Sequence, residues 1–337
     1  MRRVTPGRLA GLGLFLLAVL ALALWILPSD SYIFLPDQAH PVAPLVKIAG
    51  RKPVHDDRGG IYFVDVFVRK ASWLERLFPS IRDGATIVPA SAVVPPGTSE
   101  KARVREDQQA MTRSQSIAAA VALRAAGYKV RAKPTGVLVD QVVGGAPAAG
   151  KLQPADVIVK VDGRRVLTPT QLRSAIAGRP VGSKLRIVVR RGASLVAVSL
   201  RSTTDPQVAG RPVIGVIVTQ NARIDLPLSV TINAGNVGGP SAGLAFALDV
   251  LEQLGRDVDH GQRVAATGEI ELDGSVEPIG GVRQKTIGVR KTGIRVFLVP
   301  AGENAAEARR YADGLRIVPV KNFQQALRAL ATLPRAQ

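Results

Sequence analysis

The chain has 337 residues, which suits two or three domains, and 46% of them are hydrophobic, which excludes general disorder. Forty-five Lys and Arg against 26 Asp and Glu give a net charge of +19, scattered from end to end. Such a surface favours anionic membranes, envelope polymers or nucleic acid. With no aromatic-and-basic stacking cluster and no zinc-finger spacing, nucleic acid is not an expected partner, and with no cysteine, disulfides and thiolate metal sites are excluded.

Leu9 to Leu27 reads LAGLGLFLLAVLALALWIL and carries no charge. At 1.5 Å per residue this run spans about 28 Å, close to the hydrocarbon thickness of a bilayer. Arg2, Arg3 and Arg8 precede it, and PSDSYIFLPDQ, which has acids and no base, follows it. The expectation is a cytoplasmic basic tail over 1–8 and a single transmembrane anchor over 9–27, with everything beyond on the outer side of the cell membrane. Trp25 falls near the outer end, where aromatic belts lie. The alternative is a cleaved signal peptide, but the run is longer than an ordinary signal core and no clean A-x-A site follows.

Residues 28–130 form a second segment. Ile61 to Val68 (IYFVDVFV) predicts a strand and Ala85 to Val94 a short extended piece. Pro95-Pro-Gly-Thr98 breaks the chain. A helix is expected over 100–126, with Ile117, Ala118, Val121, Ala122 and Ala125 recurring at helical spacing as a core face.

Residues 131–203 change character. PTGVLVDQVVGG reads as strand and Gly-rich turn, and Asp162-Gly163 signals a tight hairpin. Thr168 to Ile176 reads as a short helix capped by Thr168 or Thr170. Lys184 to Arg190 and Leu195 to Leu200 read as paired strands around Arg191-Gly192. Three pieces, Gly136-Val-Leu-Val139, Gly145-Ala-Pro-Ala-Ala-Gly-Lys-Leu-Gln-Pro-Ala-Asp156 and Ile158-Val-Lys-Val-Asp-Gly-Arg-Arg-Val166, resemble a bacterial protease-associated PDZ domain. That resemblance implies a mostly β domain that takes an extended peptide as an added edge strand. The expected groove is Thr135, Gly136, Val137, Leu138 and Val139; the bland alternative for these residues is an ordinary hydrophobic strand.

From 204 to 337 strands and helices alternate, predicting an α/β domain. Strands are expected at Pro212–Thr219, Leu226–Asn233, near Val264–Ile270 and at Arg295–Val299. Helices are expected after Pro240, over Val282–Lys291 and near 304–312 and 323–333. The helix after Pro240 has an apolar stripe of Leu244, Ala247, Leu248, Leu251 and Leu254, and Gly255 stops it. Ser241 stands at its mouth, where backbone amides lack intrahelical partners. It is either an N-cap or a nucleophile with amides ready for an oxyanion. A serine nucleophile needs a base. His40, His55 and His260 lie in no recognisable triad context. Lys285 lies on a helix side with Val282, Thr286 and Val289, while Arg283, Arg290 and Lys291 face away. Either it snorkels to the surface, or burial lowers its pKa until the neutral amine can take a proton.

The motifs Gly239-Pro-Ser-Ala-Gly243, Thr267-Gly-Glu-Ile270 and Pro278-Ile-Gly-Gly-Val-Arg-Gln-Lys285, followed by Gly293-Ile and Phe297-Leu-Val-Pro300, resemble the proteolytic domain of the Lon family of serine proteases. The resemblance implies Ser241 as nucleophile, Lys285 as its dyad partner and Thr267 hydrogen-bonded near the lysine. The amides of Ser241 and Ala242 are the expected oxyanion donors, with Gly239 supporting. Lon enzymes carry an acid where this chain has Gly238, and an ATPase module whose G-x-x-x-x-G-K-[ST] loop is not found here. With its anchor and PDZ segment the chain resembles membrane-bound, PDZ-containing Lon-like proteases. The expected protein is an ATP-independent, membrane-anchored serine endopeptidase without cofactor or metal, acting on unfolded or envelope proteins. Lipid bilayer and protein substrates are its expected partners, a hexameric ring is implied by resemblance alone, and residues 28–130 are expected to pack on the protease domain. The competing expectation is an inactive PDZ adaptor at the membrane.

Overall fold

The computed structural model describes residues 6–52, 54, 59–94, 100–206 and 208–335, with side chains described from Gly11 onward except at 102. Arg2, Arg3, His55 and the break at 95–98 lie outside the described residues. The chain begins with α1 (Pro6–Ile26), β1 (Pro28–Pro41), β2 (Val46–Ile48), β3 (Gly60–Ser72), α2 (Trp73–Leu77), β4 (Thr86–Pro89), α3 (Ala90–Val93) and α4 (Glu100–Ala125). There follow β5 (Arg131–Val142), β6 (Val157–Val161), β7 (Arg164–Arg165), α5 (Pro169–Ala177), β8 (Lys184–Arg191), β9 (Ser194–Arg201), β10 (Thr203–Thr204), β11 (Pro212–Val213) and β12 (Val216–Asp225). The last part holds β13 (Val230–Ile232), α6 (Gly243–Gln253), β14 (Arg263–Ala266), β15 (Glu269–Ile270), β16 (Val276–Glu277), α7 (Val282–Lys291), β17 (Val296–Pro300), α8 (Glu303–Arg310), β18 (Arg316–Val320) and α9 (Phe323–Leu330).

One mixed sheet carries the C-terminal half, in the order β18-β17-β14-β3-β1-β4. Its β18, β17, β14 and β3 run parallel, whereas β1 joins β3 and β4 antiparallel. Parallel strands are covered on both faces and read as unbroken apolar runs; β17, VFLVP, is buried throughout. Alternation divides the layers. Val264, Ala266 and Leu298 face one core with α4, α6 and α9, while Ala265, Phe297 and Val299 face the other with α7 and α8. α6 is sandwiched between sheet and α4, so it is buried almost all round, beyond the single stripe expected of it. β1, β3 and β4 of 28–94 are therefore structural members of this sheet, while β2 pairs with β13.

The second sheet runs β12-β5-β6-β8-β9, with β7 paired to β6. Its core is Val137, Val139, Ile158, Leu172, Leu185 and Ile187. Thr168 caps α5 by accepting a hydrogen bond from Gln171 N at 3.2 Å, and Pro169 occupies the first turn, where no amide is needed. The two sheets meet at the β15–β16 hairpin. Thr170 Oγ1 donates to Glu277 Oε1 and, at 3.4 Å, to Glu271 Oε1, and Arg173 reaches Glu277 at 2.5 Å.

Several elements differ from expectation. The piece expected over Ala85–Val94 is β4 followed by a helical turn, α3. The strand expected over Pro212–Thr219 breaks at Gly215, which has φ +75°, and its second part runs on to Asp225. Of Leu226–Asn233 only Val230–Ile232 pairs, with β2. The expected span over 9–27 forms as α1, but among the described residues no helix is long and apolar enough to cross a membrane.

Candidate active site

Pro240 and the glycines around it shape the turn that presents Ser241. The α6 N-cap is Ala242, and no side chain caps the helix. Ser241 is thus not a cap, which removes the bland alternative. Three neighbours hold its loop. Gly239 N donates to Asp107 O at 2.9 Å, Ser114 Oγ donates to Pro240 O at 2.9 Å, and Gly268 N donates to Ser241 O at 2.8 Å. Gly243, closing the PSAG motif, lets α4 approach, since a Cβ there would stand 2.7 Å from Ser114 Oγ.

Lys285 comes from the first half of α7, which Gly281 opens. β1, β3 and α8 pack on α7 and Lys285 is 2% exposed, so the snorkelling alternative is also removed. Its Nζ lies 2.7 Å from Ser241 Oγ and 3.2 Å from Thr267 Oγ1. Thr267 Oγ1 in turn donates to Ser241 O at 3.1 Å, so with its proton on that bond it is free to accept from the amine. Burial lowers the Lys285 pKa from 10.5 to about 8, against the charge of Asp65, which raises it. Asp65 is itself held above the ordinary range, first by burial and then by Asp37, with His40 pulling the other way. A buried amine that sheds its proton near neutrality can accept one from a neighbouring hydroxyl.

Among the described residues the amides of Ser241 and Ala242 have no acceptor, as an oxyanion site requires. Gly239 is different: its amide is spent on Asp107 O, so it supports the turn and holds no oxyanion. Gly238 has a steric explanation. A Cβ there would lie 2.7 Å from Asp107 Cβ, so α4 fills the space an acidic side chain would need. Asp107, Ser114 and Asp65 were not found by sequence reasoning. Only Ser114 left a trace, as a polar residue on the buried face of an Ala-rich helix.

The expected peptide groove is corrected by the sheet order. Thr135, Gly136, Val137, Leu138 and Val139 lie on β5, which is hydrogen-bonded to β6 on one side and to β12 on the other. Gly136 pairs with Asn221, Val137 with Gln220 and Leu138 with Thr219, while Thr135 Oγ1 is bonded to Asn221. An interior strand has no edge to offer. The sheet ends in β9 on one side and in β12 on the other, and the first part of β12 runs beside α5, with Ile217 exposed.

Among the described residues two groups of side chains have cation-holding spacing, Asp37-His40-Asp65 and Glu252-Asp257-Asp259. Those of the second already serve as caps, Glu252 for Val258 N and Asp259 N, and Asp257 for His260 N.

Residues 218–332 match the Lon protease (S16) C-terminal proteolytic domain, and 111–201 match a PDZ domain. The chain carries a Lon-type proteolytic domain and a PDZ domain. Over 98 residues it is 36% identical to Lon protease 2 of Bacillus subtilis, covering 29% of this chain and 17% of that protein. Over 110 residues it is 40% identical to a Lon protease of Helicobacter pylori, covering 31% and 13%. The chain thus spans less than a fifth of those relatives. The PDZ domain of an SdrC-like protein from Listeria monocytogenes is 27% identical over 25% of this chain and 86% of that one, with a TM-score of 0.23. Together the Lon-type matches support a serine protease.

Proposed function

We propose that this chain is a serine endopeptidase working by a Ser241–Lys285 dyad on unfolded or envelope proteins, without ATP. The observation that carries the reading is the 2.7 Å contact between a buried Nζ and the Ser241 hydroxyl. Neutral Lys285 takes the Ser241 proton as Oγ attacks the scissile carbonyl. The amides of Ser241 and Ala242 receive the oxyanion, and Thr267 orients the amine. Protonated Lys285 then gives its proton to the leaving amine as the C–N bond breaks. Water, deprotonated by the same amine, releases the acyl group and restores Ser241.

The reading includes an anchor and a recruiting module. α1 leaves Leu14 71% and Phe15 65% exposed, an apolar surface that favours lipid over water, with basic Arg2, Arg3 and Arg8 before it. We place the N-terminus in the cytoplasm and the catalytic part outside. The PDZ domain recruits substrate tails on the β12 edge.

A fluorophosphonate probe with mass spectrometry tests the dyad. Labelling is expected at Ser241 in the full chain without added nucleotide, and its absence there overturns the reading in favour of an inactive adaptor.

A further inference from the structure

β12 has one open edge that serves two domains. It pairs with β5 on one side and ends the sheet on the other. Its first part runs beside α5, and further along it meets α4. Where α4 and β12 face each other lies a cleft of about 250 Å³ lined by Thr112, Arg113, Ser116, Gln220, Ile224 and Leu226 among others. A second cleft, lined by Arg105, Gln108 and Gln109, shares Thr112 and Arg113 with it and continues along α4.

One side chain here is unfinished. Gln220 is 1% exposed, and its Oε1 accepts from Leu272 N at 2.6 Å, which fixes the amide orientation. Its Nε2 therefore carries the donor hydrogens, and among the described residues that atom has no partner. A buried donor left unpaired is destabilising, so nearly all such groups find an acceptor. The strand edge beside it also presents unpaired N–H and C=O groups, which an extended main chain satisfies. Charge does not compete for the site: Arg113 is already engaged by Asp140 and by Thr219 Oγ1.

We infer that the α4–β12 cleft binds an extended segment of substrate polypeptide, laid along β12 as an added strand with a main-chain carbonyl on Gln220 Nε2. The cleft is well placed for it. α4 also holds the nucleophile loop, through Asp107 O and Ser114 Oγ, so the same helix borders both the cleft and the serine. A chain caught on the PDZ part of β12 is thereby continued along one edge toward Ser241. The purpose of the cleft rests on the proteolytic reading; its binding chemistry does not.

The test uses the full-length chain with Ser241→Ala and fluorescein-labelled β-casein as the unfolded probe, followed by fluorescence anisotropy. Ser116 lies on the exposed side of α4, so Ser116→Trp fills the cleft without entering the core. It is expected to raise the casein Kd at least tenfold, whereas Arg309→Trp on distant α8 leaves it unchanged. If Ser116→Trp disturbs the circular dichroism spectrum, Thr112→Trp, also exposed, replaces it. A Kd within twofold of the parent in the folded cleft variant overturns the inference. The two readings fail separately. An unlabelled Ser241 with casein binding still sensitive to the cleft sinks only the protease. A labelled, active enzyme whose casein binding ignores the cleft sinks only this site.

Discussion

The dyad pocket and the peptide edge are both built from distant pieces of chain, yet they answer to sequence very differently. Ser241 and Lys285 are 44 residues apart and meet at 2.7 Å, each fixed by a turn-and-helix motif whose chemistry is local. β5 and β12 meet across about 80 residues, and nothing in either strand says which of its two edges will be covered. A nucleophile announces itself through the residues that shape its own turn. An open strand edge is defined by the neighbour it lacks, and that is a property of the whole sheet.

The comparison is sharpest at the amine. Lys285→Ala should lower kcat/KM on unfolded casein by roughly a thousandfold with the fold intact by circular dichroism. Lys285→Arg should be as damaging, because a guanidinium does not shed its proton. Substantial turnover in either variant breaks the dyad side of the contrast.

The edge side is broken or sharpened by two substitutions on paired strands. Ile217→Asp, at an exposed position on β12, should weaken binding of a labelled unfolded tail peptide about tenfold. Thr135→Val on β5 removes only the two bonds to Asn221 and should change that binding less than twofold, with about 1–2 kcal/mol lost in stability. The reverse pattern in peptide titrations would return the groove to β5.

The pH profile separates burial from mere proximity. The amine works as a base only when neutral and is protonated below its pKa of about 8. Its neutral fraction is about a tenth at pH 7 and about nine tenths at pH 9. Initial rates of casein cleavage should therefore rise nearly tenfold across that range. A rise of about a hundredfold over the same range would mean a solvated ammonium with its ordinary pKa, and a flat profile would mean that Lys285 is not the base.

The smallest effect concerns Gly238. Gly238→Asp restores the acid that Lon enzymes carry, but it drives a Cβ to 2.7 Å from Asp107 Cβ. Overpacking of this kind costs about 1–3 kcal/mol, so thermal unfolding should shift down by several degrees, with no gain in turnover.

Much of the architecture was legible because its signals are periodic and short-range. α7 forms over Val282–Lys291 as the apolar side around Lys285 predicts, and α5 starts where Thr168 and Pro169 say it should. The structure brings Ser241, Thr267 and Lys285, the residues the motifs single out, within hydrogen-bond distance of one another. What escaped depends on long-range partners. β1 was unread because PSDSYIFLPDQAHP mixes prolines and acids and is a strand only beside β3 and β4. β18, RIVPV, carries a proline that its place at the rim of the sheet tolerates. The supporting roles of Asp107 and Ser114 needed α4 docked on the nucleophile loop, which no local pattern encodes.

Thr170 and Arg173 grip Glu271 and Glu277, and Glu271 stands only four residues past Thr267. The two modules therefore share a short stiff ribbon instead of swinging on slack chain. On the proposed reading, a tilt of α5 would be felt in the ribbon that leads back to Thr267, the residue beside the amine.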